Sequence, residues 1–86
     1  MDINQLISII KKKLTDRIHI ENINIEDKSF LHKNHKNNEK GKFHLKISIK
    51  SKELSKISKI ESNRLVHKII NDEIKLYIHS LQILIN

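Results

Sequence analysis

The chain has 86 residues, a formal net charge of +7 from 17 basic and 10 acidic side chains, and neither cysteine nor proline. A chain this short supports one hydrophobic core and leaves little room for a deep catalytic cavity, so residues 1–86 read as one domain. Without cysteine there are no disulfides, no thiol chemistry, no Cys-ligated zinc finger and no iron–sulfur cluster held on this chain's own thiolates; any metal rests on the six histidines or on carboxylates.

Ile3, Leu6, Ile7, Ile10 and Leu14 form one stripe of an amphipathic helix, predicted over residues 2–16. Asp2 suits the N-cap and Lys11 to Lys13 suit the negative end of the helix dipole. From Ile18 the period becomes two, but Ile18 and Ile20 share one parity and Ile23 and Ile25 the other, so a bulge or turn is expected near Glu21–Asn22. The first strand is predicted over 22–27, followed by a polar loop that ends at Gly41, the only glycine. Phe43, Leu45, Ile47 and Ile49 alternate with His44, Lys46, Ser48 and Lys50, which makes 43–50 a strand with one face in the core. It pairs antiparallel with the first strand. Leu65, Val66, Ile69, Ile70 and Ile74 mark a second helix over about 61–75, entered through a turn at 52–60. Ile78, Leu81, Ile83 and Ile85, with the polar Gln82, mark a third strand over 78–85. A helical crossover between the second and third strands makes them parallel. The expected fold is α+β, in the order α-β-β-α-β, with two helices on one face of a three-stranded mixed sheet.

Enzymatic motifs are missing. The single glycine excludes a Walker loop and a dinucleotide fingerprint, and no Gly-x-Ser-x-Gly elbow accompanies the serines. Glu26–Asp27 and Asp72–Glu73 are adjacent pairs and read as solvated charges. No apolar run approaches the ~18 residues of a membrane span. Asp2, Asn4 and Gln5 stand where a signal peptide carries basic residues, so a soluble protein of a bacterial cytoplasm or organelle matrix is expected. The positive charge favours an anionic partner, yet 15 of the 17 bases are lysine, alongside 18 isoleucines, nine asparagines and no alanine. That pattern follows A/T-rich codon usage, and lysine lacks the bidentate fork that reads guanine or clamps phosphate.

The histidines carry more information. His32 and His35 are spaced i, i+3 in the polar loop, and His79 stands at the start of the third strand. Imidazole is a borderline ligand suited to iron, zinc or copper. The competing reading makes His79 a packed histidine with one nitrogen satisfied, and His32 and His35 solvated side chains.

From Ile25 onward the chain resembles the BolA family. Glu26 to His35 resembles its Asp-x-Ser-x-x-His-x-Gly-His loop entry, with Asn34 at the loop glycine. Phe43 to Ile49 resembles its His-Phe-x-Val-x-Ile-Val strand, with His44 at the histidine. Asn63-Arg64-Leu65-Val66 resembles the end of its Arg-His-Arg-x-Val helix motif, with Ser62 and Asn63 in place of Arg-His. Leu54-Ser55-Lys56 stands where the family has Phe-x-Gly. Asp72-Glu73-Ile74 and Ile78-His79-Ser80-Leu81 resemble its Glu-Leu and Ile-His-Ala-Leu ending.

The resemblance implies a fold similar to the type II KH arrangement. It also implies a non-enzymatic adaptor, monomeric when alone, that pairs with a monothiol glutaredoxin and shares a [2Fe–2S] cluster with it and with glutathione. In that pairing His79 is the C-terminal ligand and His32 the loop ligand, with His35 the alternative. A second expectation is a nucleic-acid-binding regulator of transcription, resting on the KH-like fold and on Lys56, Lys59, Arg64, His67 and Lys68 along the second helix region. It lacks a Gly-x-x-Gly clamp and has only three aromatic side chains, Phe30, Phe43 and Tyr77. A packing module kept soluble by its charges is the third.

Overall fold

The computed structural model describes residues 1–28 and 42–86. Its first helix, α1 (Ile3–Arg17), starts where Asp2 closes a capping box: the Asp2 carboxylate accepts from the Gln5 N–H at 2.9 Å and the Gln5 side chain accepts from the Asp2 N–H at 3.3 Å. The apolar stripe does what its spacing requires, and Leu6, Ile10 and Leu14 are fully buried. The chain turns extended at Ile18 and bends at Glu21, whose N–H donates to the Lys50 carbonyl at 2.9 Å. That bend absorbs the change of parity between Ile20 and Ile23.

Two strands follow, β1 (Asn22–Asp27) and β2 (Phe43–Lys50), paired antiparallel with Ile23 opposite Ile49, Ile25 opposite Ile47 and Glu26 opposite Lys46. The predicted 52–60 turn contains a short helix, α2 (Lys52–Ser55), capped by Ser51. The predicted 61–75 helix is two helices, α3 (Lys59–Ile69), capped by Ser58, and α4 (Asn71–Tyr77). They meet at Ile70, where φ is −106° and ψ is 24°. Ile70 is fully buried and still bonds back to the Val66 carbonyl, so the break is a re-aiming of the axis rather than an unravelling. It brings Glu73 against α1, where the Lys13 ammonium bonds both carboxylate oxygens at 3.0 and 2.7 Å.

The last strand, β3 (Ile78–Ile85), runs parallel to β2, giving the order β1-β2-β3. Leu6, Ile10, Leu14, Val66 and Ile70 from the helices and Ile25, Leu45, Ile47 and Ile49 from the sheet form one core. All these strand residues share a parity, so the helices cover one face, and no described helix covers the other. The chain is therefore an α+β protein with a three-stranded mixed sheet, its strands in the predicted order and α2, α3 and α4 where one crossover helix is predicted.

Candidate functional site

The face of the sheet turned away from the helices carries the residues of opposite parity: His44, Lys46, Ser48 and Lys50 on β2, and Ser80, Gln82 and Leu84 on β3. On a regular strand His79 would share parity with Leu81, Ile83 and Ile85 and point into the helix-facing layer. It does not. Phe43 is opposite Ile78, but the next pair is His44 with Ser80, so His79 is one extra residue on β3. A bulge of this kind re-aims side chains locally. Here it lets Ile78 fill the core at 5% exposure while His79 stands exposed at the sheet's end.

The result is a pair of imidazoles. The ring centroids of His44 and His79 are 4.9 Å apart with the planes tilted by 56°. His44 is 5% exposed, and its Nδ1 lies 2.6 Å from the Ser80 hydroxyl oxygen. That bond limits rotation of the His44 ring and ties its tautomer to the hydroxyl's orientation. The pair sits where β1 ends and β2 and β3 begin, so the ends of the loop predicted to carry the other ligand meet at the same edge. His32 and His35 themselves lie outside the described residues. Among the described residues no group of three His, Asp or Glu side chains converges to hold a metal ion. The sequence motifs by themselves do not pair His44 with His79. The signal was present in the spacing, because Ile78 to Leu81 breaks the period of two.

The residues nominated for nucleic acid, Lys56, Lys59, Arg64 and Lys68, are all exposed. Lys59, Arg64 and Lys68 share one groove along α3 with His67 and with Ile60, which is 66% exposed; Lys56 lies outside it, in the turn after α2. This groove is on the helical layer, and the imidazole pair is on the other side of the sheet.

At the junction of α1 and β1, Ser51 donates to the His19 carbonyl at 2.7 Å, and Glu53 and Glu21 accept from the N–H groups of His19 and Lys52 at 2.9 and 3.1 Å. Desolvation pushes the Glu21 carboxyl up. The N–H groups of Lys52 and of Glu21 itself, with the charges of His19 and Lys52, outweigh it and hold the group below its usual range. Every one of these contacts fastens backbone, so this cluster is structural. Among the described residues no helix is long and apolar enough to cross a membrane.

The family model described as BolA-like protein matches residues 14–86. The BolA domain of SufE1 from Arabidopsis thaliana superposes with a TM-score of 0.76 at 25% identity, covering 92% of this chain and 87% of that one. BolA1 from the same plant gives 0.77 at 24% identity, covering 93% and 88%. A bol-like protein from Babesia bovis gives 0.68 at 18% identity, covering 91% and 79%, and extends the likeness of fold. No curated protein matches the chain.

Proposed function

Because the chain belongs to the BolA-like protein family, we propose that it is a non-enzymatic adaptor that pairs with a monothiol glutaredoxin to hold or pass on a [2Fe–2S] cluster. The observation that carries this reading is the imidazole pair: a bulge sets His79 beside His44 on the sheet face turned away from the helices, at the end where β2 and β3 begin. The donor chemistry suits the group. Neutral imidazole nitrogens replace thiolates on one iron of some [2Fe–2S] centres and raise the reduction potential. His79 is the exposed ligand, with His32 or His35 from the loop as the other. His44 packs against His79 and is itself held by Ser80, the kind of outer support that orients metal-binding histidines.

The thiolates would come from the glutaredoxin and from glutathione, since this chain has no cysteine. Alone, the protein is a monomer, free of cluster, in a bacterial cytoplasm or an organelle matrix. Titration with a glutaredoxin carrying its cluster, read by visible absorption and circular dichroism, tests the pairing. A spectrum distinct from that of the glutaredoxin homodimer is expected, and an unchanged spectrum refutes it.

One observation favours a second reading. Lys59, Arg64, His67 and Lys68 line a single exposed groove on α3, which suits a phosphate backbone. In that reading the chain is a DNA-binding regulator of transcription, and its affinity is mostly electrostatic and weakly sequence-specific.

A further inference from the structure

The sheet face turned away from the helices carries two adjacent cross-strand rows. In the first, the Lys28 N–H bonds the His44 carbonyl and His44 pairs with Ser80. In the second, Glu26, Lys46 and Gln82 are register partners. A cavity of about 350 Å³ opens here, and its polar lining comes from Lys28, His44, Lys46, Ser80 and Gln82. That volume lies within the range of small-molecule sites, at the low end.

The charges around it are unequal. Glu26 is the acid in these rows, and its carboxylate is 3.5 Å from the Lys28 ammonium. Lys46 is half-buried and has no ion-pair partner within 4 Å among the described residues. Lys46 is thus the ammonium in these rows with no carboxylate in ion-pair range among the described residues, and a bound anion would supply that counter-charge. When His44 donates from Nδ1 to the Ser80 oxygen, the Ser80 hydroxyl proton is left to donate into the cavity, and the Gln82 amide adds a second neutral donor.

We propose that this cavity binds the carboxylate of a small organic anion, with Lys46 supplying the charge and Ser80 and Gln82 the neutral hydrogen bonds. Ser80 follows His79 directly, so a thiol-bearing peptide held here lies beside the proposed ligand. Its identification as glutathione rests on the function proposed above, whereas the anion chemistry of the cavity does not.

The test uses the isolated chain, without glutaredoxin or cluster. Amide ¹H–¹⁵N spectra are followed during titration with reduced glutathione and, separately, with inorganic phosphate. Saturable shifts confined to Lys28, His44 to Lys46 and Ser80 to Gln82 are expected with glutathione, and weaker, competing shifts with phosphate. Lys46→Ala should weaken binding roughly fivefold or more, Lys46→Arg should retain it, and Ser80→Ala should weaken it by a smaller factor. Lys75→Ala, at an exposed position of α4, should leave it unchanged. Absence of saturable shifts at these amides with either probe, or glutathione binding to Lys46→Ala as to the wild type, overturns the proposal. Phosphate binding as tightly as glutathione overturns glutathione as the ligand and keeps the anion site. A failure of cluster pairing in His79→Ala leaves this titration untouched, so the two readings fail separately.

Discussion

The His79 imidazole rests 4.9 Å from the His44 imidazole, although a regular strand would have placed them on opposite faces of the sheet. One extra residue on β3 is responsible, because it moves His79 out of the helix-facing layer without moving Ile78, Leu81 or Ile83 from theirs. That single residue of slippage brings the two imidazoles together.

His79→Ala should abolish the mixed-cluster spectrum formed with a monothiol glutaredoxin while leaving the far-ultraviolet circular dichroism unchanged. His44→Ala should weaken the spectrum and also lower stability by roughly 1–3 kcal/mol, because it removes a buried, hydrogen-bonded ring. His32→Ala should weaken it as well, and any residual effect would point to His35. A wild-type spectrum from His79→Ala would make that histidine a packing residue only.

Lys13 and Glu73 fasten α1 to α4. The Glu73 side chain is 9% exposed and the Lys13 side chain 38%. Removing the lysine alone strands a buried carboxylate, so Lys13→Met should cost roughly 1–3 kcal/mol in urea unfolding, below the cost of a fully buried pair because Lys13 is partly solvated. The double variant Lys13→Met with Glu73→Leu should recover most of that loss. If Lys13→Met alone is neutral, the pair contributes nothing to holding the helices together.

Glu21 should make folding sensitive to acid. Its folded pKa lies below the ordinary 4.5, so the unfolded chain binds this proton more readily than the folded one. The stabilisation is present above that ordinary value and is lost as pH falls through the lower folded value. Urea unfolding measured from pH ~5 to ~3 should therefore show a shallower acid-side decline for Glu21→Gln than for the wild type. Parallel slopes would mean that the Lys52 N–H contact does not discriminate between the two charge states.

If the α3 groove binds DNA, affinity should fall steeply with salt, by about 0.9 counterion per phosphate contacted. Charge reversal at Lys59 and Arg64 should weaken binding to all sequences alike and flatten the salt slope. Unchanged affinity in the double reversal removes the nucleic-acid reading and leaves the imidazole face untouched.

The periods of the sequence carried the fold because each element is decided by which side chains must leave water. A stripe every three to four residues makes α1, alternation makes β2, and the parity change at Glu21 is visible as a bend before any tertiary contact is considered. The break at Ile70 was not legible. Leu65, Val66, Ile69, Ile70 and Ile74 fit one helix as well as two, and only the need to set Glu73 against Lys13 and to deliver Ile78 to the sheet divides them.

The candidate site divides the same way. The sequence alone determined that His79 stands at the start of the third strand, that no thiolate is available, and that any metal on this chain rests on histidines or carboxylates. It could not place His44 beside His79, set Ser80 on the His44 ring, or gather Lys28, Lys46 and Gln82 around one cavity. Those neighbours come from different strands, 36 positions apart in the case of His44 and Ser80. Strand register is set by the summed packing of all the core residues at once, and the bulge at His79 is the local adjustment that the packing leaves behind.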